Sequence, residues 1–132
     1  MEIKVGILPE KDQVLVLYED AGWTAYTDEP DILMKAIENS LNVWTLWDGE
    51  KLIGLARIVG DGATICYLQD ILILKAYQGQ GLGSDLLKEV MKENQNIRQF
   101  VLLTDDAEET KNFYKKVGLK EVGDYYCKAF MK

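Results

Sequence analysis

The chain has 132 residues, 48% of them hydrophobic and 28% charged, with a formal net charge of −7 and no histidine. That length suits a single domain over residues 1–132, able to bury about two thirds of its unfolded surface without disulfides or a structural metal. The missing histidine excludes a Ser-His-Asp triad, a Cys-His pair and any zinc site built on imidazole, and the acidic balance argues against a nucleic-acid surface.

The opening residues, MEIKVGILPEKD, carry a weak strand pattern and no basic head followed by a long apolar stretch, so no secretory signal is expected. Nowhere does an apolar run approach the roughly 18 residues of a membrane span. Cys66 and Cys127 form no CxxC pair and read as reduced thiols of a cytoplasmic protein.

Val14, Leu17, Tyr18 and Ala21 then fall at helical spacing. In EPDILMKAIENS, Pro30 stands at a first-turn position and Ile32, Leu33, Ala36 and Ile37 lie on one side, a second helix. From Val43 the period shortens to two. VWTLW, KLIGLARIV and TICYLQDILIL are separated by Asp48-Gly49 and Asp61-Gly62, and Asp-Gly between β-rich runs marks a hairpin. The pattern predicts a three-stranded antiparallel meander.

A glycine-rich turn follows, and then Leu82, Leu86, Leu87, Val90 and Met91 make a helical stripe. RQFVLLT, residues 98–104, suits a short buried strand. Strand, helix and strand form a βαβ unit whose outer strands should be parallel. Another helix is expected over about residues 106–117, stopped by Gly118. Two short strands, near 119–122 and 125–131, close the chain. The fold class is α/β with a mixed sheet, neither doubly wound nor a ferredoxin-like repeat.

The turn reads Gln78-Gly79-Gln80-Gly81-Leu82-Gly83-Ser84. Alternate glycines let the backbone take positive φ and let a ligand approach without a Cβ in the way. Free N–H groups at the start of the next helix suit a pyrophosphate. A Walker loop needs lysine and a hydroxyl residue after its last glycine, and here Gly83 is followed by Ser84-Asp85. A dinucleotide fingerprint can be drawn through Gly79, Gly81 and Ser84 with Asp105 further on, but too little chain remains for a doubly wound sheet.

Gln78-x-x-Gly81-x-Gly83 after a strand resembles the pyrophosphate loop of the GNAT superfamily, the acetyl-CoA-dependent N-acetyltransferases. LQDILILKAYQGQGLGSDLL is similar to that family's signature strand, loop and helix, and NFYKKVGL, residues 112–119, to its Phe-Tyr-x-x-x-Gly-Phe segment. The order of elements also matches. The resemblance implies transfer of an acetyl group from acetyl-CoA to a primary amine in a ternary complex, without a metal. It also implies a bulge in the strand before the loop and a splay between that strand and the next parallel one.

On that resemblance, N–H groups of Gly79, Gln80, Gly81, Leu82, Gly83 and Ser84 would hold the pyrophosphate, with Gln78 beside them. The edge of Ile71, Leu72 and Ile73 would pair with the pantetheine arm as an added strand. An N–H near Leu72 or Ile73 would polarise the thioester carbonyl. Tyr114 would protonate the departing thiolate, and Asn112 would touch the CoA arm. Ala107 stands where many members carry an asparagine.

Where relatives carry a glutamate base, this strand has Tyr67. Asp70 is the nearest carboxylate and could take the amine's proton directly or through water, or serve only to hold the bulge. Trp23 and Tyr26 are candidates for the acceptor cleft, whereas Trp44 and Trp47 suit the core. The acceptor is a small-molecule or peptide amine, and the chain is compatible with a homodimer. A domain that binds acetyl-CoA only as a sensor is the rival reading.

Overall fold

The two Asp-Gly pairs turn the chain where the pattern of the sequence puts them. In the computed structural model, which describes residues 1–132, strand β2 (Asn42–Asp48) reverses through Gly49 into β3 (Lys51–Gly60), which reverses again into β4 (Ile65–Ile73). Gly49 takes φ +61°, a left-handed value that costs glycine nothing. At the second reversal the Asp61 carboxylate accepts hydrogen bonds from the Thr64 hydroxyl at 2.6 Å and from the N–H groups of Ala63, Thr64 and Ile65 at 2.9, 2.7 and 3.1 Å. The Thr64 hydroxyl and then the three N–H groups hold its carboxyl well below the usual carboxylate range.

Strand β1 (Glu2–Val5) covers the outer edge of β2, and β5 (Gln99–Val101) lies on the far side of β4. The sheet order is β1-β2-β3-β4-β5, antiparallel throughout except for the parallel pair β4–β5. One face carries helices α1 (Lys11–Asp20), α2 (Thr24–Thr27) and α3 (Pro30–Glu38). The other carries α4 (Leu82–Glu93) and α5 (Glu108–Lys116).

A bulge in β4 divides the core between these faces. Arg57 pairs with Asp70 and Ile58 with Leu68, so Gln69 is the extra residue. One inserted residue flips the alternation. Cys66 and Leu68 therefore pack with Leu86, Leu87 and Val90 of α4, while Leu72 and Leu74 pack with Val14, Leu17 and Leu33 of α1 and α3. Trp44 and Trp47 are both core residues, on opposite faces. The Trp44 Nε1–H donates to Glu93 at 3.1 Å and that of Trp47 to the Thr45 hydroxyl at 2.7 Å.

Several expectations need correction. The short helix α2 interrupts what reads as a connection. Ile32, expected on the buried stripe of α3, is 60% exposed, because the helix turns Leu33 and Ile37, with Met34 partly, to the core. Strand β5 has three residues rather than seven and is half-buried at best, since no strand lies outside it. The two closing strands do not form. Residues Val122–Tyr125 make a 3₁₀ turn instead. There the Cys127 N–H closes on the Val122 carbonyl at 3.1 Å, and Lys115 pairs with Glu121 at 2.8 Å. These local contacts replace strand pairing at the start of the segment, and residues 121–132 are all exposed.

Candidate active site

The site begins where β4 and β5 part. Their last pair is Tyr67 with Val101, so residues 68–73 of β4 have no strand on that side. The Leu74 N–H bonds the Ile53 carbonyl of β3 at 2.8 Å. Main-chain groups alternate sides along a strand, so Leu72 also faces β3 and Ile71 and Ile73 face the opening. Sequence reasoning pointed to Leu72 or Ile73; the register assigns the free N–H groups to Ile71 and Ile73.

Below the opening lies the glycine turn. Gly79 and Gly81 both take φ +81°, and a Cβ at either would meet no protein atom within 4 Å. Their requirement is conformational, and the space over them is open. The first bond of α4 runs from the Asp85 N–H to the Gly81 carbonyl at 3.0 Å, and the fold uses none of the N–H groups of residues 79–84. The Gln78 side-chain amide donates to the Ile73 carbonyl at 2.9 Å and ties the turn to β4. Gly83 lets α4 approach Phe113 of α5, whose ring lies 3.4 Å from where its Cβ would stand.

These elements enclose a cleft of about 640 Å³ lined by Ile71, Leu72, Ile73, Gln78, Gly79, Gly81, Leu82, Gly83, Ser84 and Tyr114, with Trp23 at the side of α1 and α2. Gln80, Asn112, Tyr67, Asp70 and Tyr26 are not in its wall. Asn112 is exposed on α5. Two residues the sequence did not single out, Lys75 and Lys116, do line the cleft, and no carboxylate does. In a chain of net charge −7 that local balance favours a polyanion.

Tyr114 is half-buried at the top of the splay. Burial raises its phenol pKa, with the Asp105 charge and Tyr67 adding to the shift and Thr104 opposing it. A raised pKa keeps the phenol protonated, as an acid must be before it donates. Across the opening the Tyr67 hydroxyl accepts a hydrogen bond from the Leu103 N–H at 3.2 Å, which spans the gap between β4 and the continuation of β5.

Asp70 is only 3% exposed. Its Oδ2 accepts from Arg57 Nε at 2.6 Å and from the Tyr18 hydroxyl at 2.9 Å, and its Oδ1 accepts from the Tyr26 hydroxyl at 3.1 Å. Gln69 in turn donates to the Tyr26 oxygen at 3.2 Å. Both bulge residues thus meet Tyr26, which explains why Tyr26 turns away from the cleft. Burial, reinforced by Asp70, drives the Tyr18 phenol pKa far above its ordinary value, so Tyr18 remains a donor. Rings of Tyr18, Trp23 and Tyr26 pack edge-on or tilted with centroids 5.3 to 6.1 Å apart. A lone arginine in KLIGLARIV and a lone aspartate in LQDILIL were the available signal, because two charges in apolar strands need each other.

The sequence pattern of the acetyltransferase (GNAT) domain matches residues 9–132. This chain belongs to the GNAT acetyltransferase family. A GNAT-family acetyltransferase from Streptococcus pneumoniae superposes with a TM-score of 0.89 at 33% identity, over 99% of this chain and 96% of that one. An uncharacterized ycf52-like N-acetyltransferase of Prochlorococcus marinus is 31% identical over 89% of this chain. The chain spans 64% of that relative's length and under half of several others'. The aminoglycoside N-acetyltransferase AAC(6')-Iy, solved in complex with CoA, has a TM-score of 0.72 over 91% of this chain and 88% of its own, and its 16% identity shows the fold alone.

Proposed function

We propose that this protein is an acetyl-CoA-dependent N-acetyltransferase that moves the acetyl group directly to a primary amine within a ternary complex. The observation that carries the reading is the pairing of an open β4 edge with unused N–H groups at the start of α4. One suits the amides of a pantetheine arm and the other its pyrophosphate. Lys75 and Lys116 flank that route. A GNAT neighbour solved with CoA supports the same ligand.

The residues then divide the work. Ile73, nearer the glycine turn, pairs with the pantetheine. Ile71 lies further from the phosphate end, and its N–H stabilises the oxyanion that forms when the amine nitrogen bonds to the carbonyl carbon. The oxyanion collapses and the carbon–sulfur bond breaks as Tyr114 gives its proton to the thiolate, while the second proton shed by the acylated nitrogen passes through solvent and restores the phenol. The ammonium proton leaves to water, because the cleft wall holds no carboxylate. Asp70 acts as a positioning residue: it pins the bulge that turns Ile71 and Ile73 to the opening. Trp23 shapes the acceptor side.

Calorimetry with acetyl-CoA, followed by a panel of amines read through release of free CoA thiol, tests the proposal. Binding with turnover of at least one amine is the expected result. Binding without turnover across the panel would favour the sensor, and no binding to the folded protein would remove both readings.

A further inference from the structure

Tyr114 reaches the opening between β4 and β5 from α5, and it packs with the α4 cluster on that face of the sheet. The glycine turn starts α4 on the same face, where Gly83 meets Phe113. On the acetyl-transfer reading, on which this inference rests, CoA fills that face and the amine comes to the thioester from the other one, beneath α1–α3. The bulge turns two consecutive side chains to this second face, since Gln69 and Asp70 both bond Tyr26 of α2. Gln69 follows the last β4–β5 pair closely and precedes Ile71 by two residues, about 7 Å along a strand. It does not line the cofactor cleft; it stands across the sheet from it.

Hydrogen bonding fixes which end of the Gln69 carboxamide faces outward. Asp70 is paired with the Arg57 guanidinium, so both of its oxygens accept. The one proton of the Tyr26 hydroxyl therefore goes to Asp70 Oδ1 at 3.1 Å. The Tyr26 oxygen can then only accept, and Gln69 meets it with its Nε2–H at 3.2 Å. A flipped amide would set two acceptors against each other. Oε1 is left at the far side of the group, and no donor of the chain reaches it.

Stability alone does not call for this arrangement. Gln69 is exposed and Tyr26 half-buried, so water could serve both groups. Holding a long side chain costs rotamer freedom, and the buried ion pair already has the Tyr18 hydroxyl. We propose that Gln69 Oε1 accepts an N–H of the incoming amine and turns the nitrogen lone pair toward the thioester carbonyl carbon, with Tyr26 and Asp70 as positioning residues behind it. A neutral primary amine has two N–H groups and one lone pair. Gln69 takes one N–H and leaves the lone pair free to attack. A carboxamide accepts no proton at neutral pH, so the ammonium still loses its proton to water before it is held.

Two readouts test the role. By NMR, the side-chain amide protons of Gln69 should exchange with water more slowly than those of the exposed Gln95, and Tyr26→Phe should bring the two rates together. In steady-state assays with phenethylamine, spermidine and trilysine as acceptors, Gln69→Leu should lower kcat/KM for the amine about tenfold, as for one hydrogen bond lost from the transition state. Tyr26→Phe should give a smaller fall. The melting temperature and acetyl-CoA affinity of Gln69→Leu should match the wild type, as they would not if the side chain served only to clamp the bulge. Wild-type exchange as fast as that of Gln95, an unchanged kcat/KM in Gln69→Leu, or a fall accompanied by a lower Tm and weaker acetyl-CoA binding would each overturn the role and leave the acetyl-transfer reading standing. A wild type that binds acetyl-CoA and acetylates none of the three amines would remove that reading and this role with it.

Discussion

Replacing Asp70 by asparagine separates the two roles open to a buried carboxylate on this strand. Its side chain is 2% exposed and that of Arg57 6%, and the two meet at 2.6 Å. Removing the negative charge leaves the guanidinium buried without its partner, a loss of about 3–5 kcal/mol in comparable pairs. Asparagine retains one acceptor oxygen, which places the expected loss near the lower end. For a domain of this size that corresponds to a fall in Tm of about 10–15 °C. Acetyl-CoA affinity should weaken as well, because the bulge that aims Ile71 and Ile73 loses its clamp. Melting curves, calorimetry and a pH–rate series on wild type and variant read the three quantities together. A positioning residue gives a variant-to-wild-type rate ratio that stays flat between about pH 6 and 10. The companion variant, Arg57→Met with Asp70→Leu, exchanges the pair for apolar side chains and should recover only part of the stability, because the buried Tyr18 hydroxyl loses its acceptor. A wild-type Tm in Asp70→Asn, together with a rate lost at neutral pH and regained as pH rises, would refute the reasoning and make Asp70 the base.

Tyr114→Phe should lower kcat roughly 10- to 1000-fold with little change in acetyl-CoA affinity, because the phenol acts on the leaving thiolate; an unchanged kcat with chemistry rate-limiting would make it a packing residue. Since burial raises its pKa above the ordinary 10.0, the acid form persists as pH rises, and the wild-type rate should hold through about pH 9 in a pH–rate profile. Gly81→Val forces a β-branched side chain into φ +81° over the open cleft; calorimetry should show acetyl-CoA binding lost while the far-UV spectrum persists. Lys116→Glu reverses a charge at the cleft wall, and acetyl-CoA affinity should fall about tenfold at low salt, the difference shrinking as salt screens it.

The sequence by itself determined the elements that local chemistry dictates. Asp48-Gly49 and Asp61-Gly62 marked both hairpins, because Gly49 and Gly62 take the left-handed φ values of +61° and +73° that favour glycine. Spacing placed α1, α3, α4 and α5, and the alternate glycines marked the phosphate turn. The resemblance carried by the turn, its strand and the Phe-Tyr segment named the family. Tertiary structure decided what depends on distant partners. That Asp70 would meet Arg57, Tyr18 and Tyr26 follows from a bulge register between β3 and β4 and from the docking of α1 and α2. Lys75 and Lys116 share one cleft wall because α5 packs beside Gly83 through Phe113. The closing segment shows the limit most clearly. Residues 119–131 have strand-like composition, yet composition cannot say whether a strand will accept them, and in this fold they pair with none. A strand is a pairing, and its partner is chosen by the rest of the molecule.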